Sequence, residues 1–331
     1  MRPAAALLAA AACAPRTAQR DVSGRPYALR AADATALCPV HDPAVIAANS
    51  TLFLFSTDAG GPAAPPFLRM RASVDGGTTW ATRGAVFPAL PAWVRARVPA
   101  ATGLWAPDIS FAGGRFLLYY AASSFGSAVS AIGLATAPSL AAPVWVDEGE
   151  VLASDAAAGF NAIDPSLFVD DTEALLVFGS FWSGLWAARI DVATGRRAPG
   201  APLIHLAQRA APDAIEGGFM IARAPFHYLF ASFDFCCRGN ASTYSVRVGR
   251  SAAGAAGPFV DRAGVAMLDG GGTLVVGGGF GWAAAGGQSV LRGTDTLMLH
   301  AYDGATGAPF LNVVGLVWDA EGWPAVGAAS R

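Results

Sequence analysis

The chain has 331 residues, of which 53% are hydrophobic and 14% charged, with a formal net charge of −2. That is enough apolar material for a large core and too little charge for a disordered chain. With that net charge and no basic run, no nucleic-acid partner is expected; all 22 basic residues are arginine, which carries no functional reading.

At the N-terminus, Arg2 precedes a small apolar run from Ala4 to Ala12, then Ala12-Cys13-Ala14. The pattern predicts a secretory signal over residues 1–14, with export to the cell exterior. No run is long enough for a membrane span, so no membrane partner is expected. Residues 15–37 read as a lead-in segment and 38–331 as one catalytic domain. Cleavage would leave Cys38, Cys236 and Cys237, an odd set in which Cys38 could bridge to one of the adjacent pair. Asn49-Ser50-Thr51 and Asn240-Ala241-Ser242 match the N-glycosylation acceptor pattern.

One plan then recurs along the chain: a polar entry, a short apolar strand, a turn and a second apolar strand. His41-Asp42-Pro43 opens the first copy and Ala106-Pro107-Asp108 the second. Asn161-Ala162-Ile163-Asp164-Pro165 opens the third, Glu216-Gly217-Gly218 the fourth and Gly286-Gly287-Gln288 the fifth. The polar markers stand at 42, 108, 164, 216 and 288, spaced 52 to 72 residues apart. Hairpins that cannot bury an apolar face alone, repeated at this period, predict an all-β, five-bladed β-propeller.

Between the entries, Ser73-Val74-Asp75-Gly76-Gly77-Thr78-Thr79-Trp80 reads as a tight hairpin. Residues 88–104, with Pro88, Pro91 and Pro99, read as a long loop. Further hairpins are expected near 131–136, 186–192 and 243–250, and a strand over 311–318 is followed by a turn.

Polar residues at the entries of inner strands meet on the propeller axis. Asp42, Asp164 and Glu216, with Asp108 as a fourth, therefore form a carboxylate group at one funnel. Convergent carboxylates suit glycoside hydrolysis, where one protonates the leaving oxygen and another activates water. Taken singly, an Asp before Pro is as often a plain turn opener.

The ordered set of motifs resembles glycoside hydrolase family 43, and within it the endo-1,5-α-L-arabinanases of eukaryotic, fungal type. The stretches that carry the resemblance include His41-Asp42-Pro43, Trp105-Ala106-Pro107-Asp108-Ile109, Gly179-Ser180-Phe181-Trp182-Ser183-Gly184 and Ile215-Glu216-Gly217-Gly218. Ser232-Phe233-Asp234-Phe235-Cys236-Cys237-Arg238-Gly239 and Trp318-Asp319-Ala320-Glu321-Gly322-Trp323-Pro324 complete it, so that it spans about residues 38–324. The resemblance implies inversion, with Asp42 as general base, Glu216 as general acid and Asp164 orienting the acid and keeping its pKa high. It implies arabinan, the side chain of pectin, as substrate for a monomeric enzyme with no organic cofactor. Trp105, Asp108, Phe125, Asn161, Ser180, Trp182 and Ser183 are the expected substrate-binding residues. Many bacterial members carry Gly-Pro-Gly-His in the fifth blade, next to a central calcium or other ion. Here Gln288 takes that place, where an amide oxygen can ligate a hard cation or hold a water. Rival readings are an α-L-arabinofuranosidase, a β-xylosidase and a carbohydrate-binding propeller without catalysis.

Overall fold

A computed structural model describes residues 19–20, 26–27, 30–31, 36–57 and 66–327. The segment read as a signal lies outside the described residues. Five antiparallel sheets follow one another, each a meander built from consecutive chain. Blade I comprises His41–Ala48, Thr51–Thr57, Phe67–Ser73 and Thr79–Phe87. Blade II comprises Leu104–Ala112, Arg115–Ala122, Ser130–Ala137 and Val146–Ser154. Blade III has Ser166–Val169, Ala174–Phe178 and Leu185–Asp191, with Arg196–Arg197 and Ile204–Ala207 sharing its outer edge. Blade IV comprises Ile215–Arg223, Phe226–Phe233, Ser245–Ser251 and Thr273–Val276. Blade V comprises Trp282–Leu291, Thr296–Asp303, Pro309–Trp318 and Pro324–Gly327.

The second strands explain the ring. Their side chains alternate between two faces, and both faces are apolar because each packs on a different neighbour. Leu118 and Tyr120 point into the core shared with blade I, whereas Leu117 and Tyr119 point into the core shared with blade III. Leu175 and Val177 face blade IV, while Leu176 and Phe178 face blade II. Tyr228 and Phe230 face blade V, and Leu229 and Phe233 face blade III. Each fully buried side chain of this size contributes about 1.5–3 kcal/mol through removal from water. The two core tyrosines keep their hydroxyls paired, Tyr119 to Gly195 O at 2.9 Å and Tyr120 to Asp147 Oδ1 at 3.0 Å.

The ring closes between blades V and I. Val45, Leu54 and Trp80 pack on Met298, Leu311 and Val313. The segment before blade I runs beside the third strand of blade V, with Val40 N–H donating to Pro309 O at 3.3 Å and Leu311 N–H to Leu37 O at 3.0 Å. Part of the lead-in is also strand, since Arg30–Ala31 pairs parallel with Thr79–Trp80.

The Asp75 hairpin forms as expected. Asp75 Oδ1 accepts from Thr79 N–H at 2.7 Å, Gly77 N–H donates to Ser73 Oγ at 2.9 Å, and the buried Trp80 donates its Nε1–H to Gly77 O at 2.9 Å. Three expectations change. The loop over 88–104 contains a helix, Ala92–Arg97, which follows Pro91 and buries Val94 against the blade I–II core. Alanine and arginine favour the helix, and a proline just before it costs no hydrogen bond. The hairpins expected near 131, 186 and 243 are third strands of blades II, III and IV, paired with the preceding second strands. Lastly, Cys236 and Cys237 bond to each other, so Cys38 bridges to neither, and no cysteine among the described residues is free.

Candidate active site

Each blade's entry carries the same irregularity. In blades I, II, IV and V the inner strand has one residue at positive φ, Asp42 (48°), Ala106 (41°), Gly217 (61°) and Gly287 (57°), and in blade III Asp164 (55°) has it two residues before the strand begins. In blades I, II, IV and V the ladder skips there, between His41 and Ala44, Trp105 and Asp108, Glu216 and Phe219, and Gly286 and Ser289. Such a bulge re-aims side chains and frees backbone groups. The five polar markers lie at or beside these positive-φ residues but at different steps from them, and blade III has no break in its ladder. Asp42 and Asp164 are the positive-φ residues, Glu216 precedes one, Gln288 follows one, and Asp108 lies two residues beyond. They are not matched positions, and their environments differ accordingly.

The bulges surround a cavity on the axis lined by Asp42, Asp108, Asp164, Gly217, Gly287 and Gln288 among others. Asp42 keeps 30% of its side-chain surface open, so water reaches its carboxylate. Thr57, opposite His41 in the ladder, donates its hydroxyl to Asp42 Oδ2 at 2.8 Å and accepts from Ala106 N–H at 2.6 Å. Asp42 N–H donates to His300 Nδ1 at 3.1 Å, which places the ring proton of His300 on Nε2. His300 stacks on His41 with ring centroids 4.4 Å apart. Burial keeps both rings neutral, driving His41 down to about 4 and His300 well below its ordinary value. Burial, aided by the charge of Glu216 and opposed by the Thr57 hydroxyl, pushes Asp42 up to about 7.

Glu216 is 8% exposed. Tyr244 donates to its Oε1 at 2.7 Å and Ser180 to its Oε2 at 2.5 Å. A bridge between Ser180 and Glu216 ties the loop after blade III's second strand to the inner strand of blade IV. Burial raises the Glu216 pKa, and the two hydroxyls oppose it by favouring the ionised form. Asp164 accepts from Gly217 N–H at 3.1 Å, one residue beyond Glu216. Its pKa stands well above the ordinary range, from burial first and then from the charges of Glu216 and Asp42. Burial is what raises Glu216, and Asp164 meets it through the Gly217 N–H rather than through a charge that holds its proton.

The remaining expected residues separate. Trp105 is half-buried beside the Ala106 bulge, whereas Phe125 is 84% and Trp182 44% exposed. Asn161 is buried, and its Oδ1 accepts from Ser130, whose hydroxyl also meets Ser123, bracing the loop that carries Phe125. Ser183 differs from expectation. Its hydroxyl donates to Gly159 O at 2.6 Å and accepts from Trp186 Nε1–H at 3.0 Å, so it braces a loop. Asp108 likewise faces inward, accepting from Leu167 N–H at 2.9 Å beside Ser110 and the Arg292 guanidinium, and joins blade II to blade III. Thr57, Tyr244, His300 and Ser232 were not singled out as site residues: Thr57 and His300 lie on second strands with no motif of their own, and Ser232 and Tyr244 lie in or beside matched stretches that do not say which side chain turns to the acid.

For a central cation, the test is Gln288. Its Oε1 accepts from Ser232 at 2.7 Å and its Nε2–H donates to Gly217 O at 2.6 Å. Among the described residues, no three His, Cys, Asp or Glu side chains are grouped to hold a metal. This donor set does not fit a cation held through Gln288.

Asp42 and Asp164 line the axial cavity and Glu216 lies buried beside it, next to Gly217, an arrangement of carboxyls in unequal environments that suits acid–base hydrolysis of a glycosidic bond. Known proteins agree with that chemistry. An extracellular endo-α-(1→5)-L-arabinanase of Bacillus subtilis is 38% identical, covering 86% of this chain and 87% of the relative. An extracellular exo-α-(1→5)-L-arabinofuranosidase of Cellvibrio japonicus is 36% identical, covering 87% and 86%. The solved structure of an endo-arabinanase from Bacillus licheniformis superposes with a TM-score of 0.80 at 39% identity, covering 86% of this chain and 97% of that one. The family model for glycosyl hydrolases family 43 matches residues 38–324, from the first blade entry to the last turn, and the chain belongs to that family.

Proposed function

We propose that this chain is a secreted, inverting arabinanase that cuts α-1,5-L-arabinofuranosidic bonds within arabinan. The observation that carries the reading is the unequal treatment of Asp42 and Glu216. Burial raises both carboxyls, but Asp42 keeps 30% of its side-chain surface open and is held by Thr57, while Glu216 is 8% exposed and held by Tyr244 and Ser180. Asp42 takes a proton from water as the water oxygen bonds to the anomeric carbon. Glu216 gives its proton to the departing sugar oxygen as the glycosidic bond breaks. One water is consumed, and the new hemiacetal has the opposite anomeric configuration. Both carboxyls return to their starting states by proton exchange with solvent. The hydroxyls of Tyr244 and Ser180 stabilise Glu216 as its negative charge develops. Asp164 fixes the peptide beside the acid. Inversion requires the base and acid roughly 6.5–9.5 Å apart, leaving room for the water.

The exposed Trp182 and Phe125 and the half-buried Trp105 offer apolar faces to sugar rings. The extracellular names of the two curated relatives support export, and no helix among the described residues is long and apolar enough to cross a membrane. The Cellvibrio relative favours an exo mode as the second reading. Debranched arabinan separates them: a ladder of short oligosaccharides supports internal cleavage, and release of a single small product from the start overturns it. Anomeric proton NMR of the first product tests inversion, which retention of configuration would refute.

A further inference from the structure

Glu216 can act only if its backbone is held, and its backbone lies where the sheet gives no support. Gly217 and Gly218 fall in the bulge, outside the register of the neighbouring strand. With φ at +61°, Gly217 turns its carbonyl away from the ladder. We infer that Gln288 is a positioning residue for Glu216, and that its amide does this work without a central cation; the inference rests on Glu216 being the acid.

Gln288 is 5% exposed. Its amide supplies a donor and an acceptor on one rigid plane, and both are engaged. The Nε2–H group donates to Gly217 O at 2.6 Å, and Oε1 accepts from Ser232 Oγ at 2.7 Å. Ser232 Oγ in turn accepts from Gly287 N–H at 2.9 Å, so the serine links the amide back to its own strand. On its other side, the Gly217 N–H is taken by Asp164. Gly217, the residue following the acid, is therefore held at its N–H by a residue at the entry of blade III and at its carbonyl by one of blade V. An imidazole at position 288 could not satisfy the carbonyl and the hydroxyl together from one short planar edge, since its two nitrogens point in different directions. The glutamine thus fits a direct protein strut: its Nε2–H is taken by Gly217 O and one lone pair of Oε1 by Ser232, so a cation there would have a single neutral lone pair from Gln288 and, among the described residues, no group of three His, Cys, Asp or Glu side chains to complete its shell.

The test uses the full chain, with Gln288→Leu as the main variant and Ser232→Ala as the second. Steady-state kinetics on linear arabinan are read as kcat, KM and the pH profile of kcat. Gln288→Leu is expected to lower kcat at least about tenfold with KM nearly unchanged, and to move the basic limb of the profile, because the acid's geometry and environment shift. Ser232→Ala is expected to do the same to a smaller degree, and it decides the matter if Gln288→Leu fails to fold. Dialysis of the wild type against a chelator is expected to leave kcat and the melting temperature unchanged. An unaltered kcat and basic limb in the folded variants overturns the inference. So does loss of wild-type activity on chelation that calcium restores. Glu216→Gln serves as reference: if it stays active, the acid assignment has failed, whereas an inactive Glu216→Gln beside a normal Gln288→Leu refutes the strut alone.

Discussion

Tyr244 donates its phenolic hydrogen to Glu216 Oε1 at 2.7 Å, from the residue just before the third strand of blade IV. The bond favours the ionised carboxylate, so its removal raises the Glu216 pKa further. Tyr244→Phe is expected to lower kcat about tenfold to a hundredfold, the worth of about 1.5–3 kcal/mol for a hydrogen bond to a charged group. The basic limb of the pH profile moves to higher pH. A variant with wild-type kcat and an unmoved limb would show that the hydroxyl does not act on the acid.

Glu216→Gln keeps the size of the side chain and removes its proton. A loss of about 10²–10⁴-fold in kcat is expected, the usual worth of general acid catalysis. Circular dichroism and melting temperature should remain close to wild type, since one hydroxyl keeps an amide oxygen to donate to and the other can turn to accept from the amide N–H.

The pH behaviour follows from Asp42, raised from 3.8 to about 7 by burial. Its protonated form cannot take a proton from water, so kcat/KM is expected to fall as pH drops below about 7. Stability carries the opposite sign. Between 3.8 and about 7 the folded chain binds a proton at Asp42 that the unfolded chain does not, so this group's contribution to stability declines as pH rises through that window. Asp42→Asn is inactive but escapes the decline. Its melting temperature should exceed that of the wild type above pH 7, and an equal or lower value there would contradict the burial of a charge.

Gly287 sits against the base. A Cβ at this position would lie 2.5 Å from Asp42 Oδ1 and 2.6 Å from His300 Nδ1, and its φ is +57°. Gly287→Ala is therefore expected to cost about 1–3 kcal/mol of stability through strain and to lower kcat more than tenfold by displacing Asp42. Gly293→Ala is the control: its φ is +76° but nothing lies within 4 Å. It should lose about 1–2 kcal/mol of stability and keep its kcat. Equal kcat values for the two variants would refute the contact.

Much of the fold was legible because each blade is continuous in sequence. Local signals mark its parts: the Asp75-Gly76-Gly77 turn, the apolar run Phe116 to Ala122, and the polar entry before each inner strand. The helix at Ala92–Arg97 was missed because six residues flanked by prolines give no sustained period. The third strands near 131, 186 and 243 were misread as hairpins because a lone strand and half a hairpin share one alternation. The resemblance put Ser183 among the subsite residues, and the sequence holds no sign that its hydroxyl turns to Gly159 and Trp186.

The sequence by itself determined the all-β class, the five repeats and the three carboxyls, since periodicity and turn chemistry are local properties. Only the tertiary structure decided what surrounds those carboxyls. Thr57 meets Asp42 across 15 residues, His300 meets it across 258, and Gln288 reaches Gly217 across 71. Such contacts depend on ring closure and on bulges that turn side chains off the ladder. A propeller brings distant residues together on its axis, and no local pattern records which of them will touch.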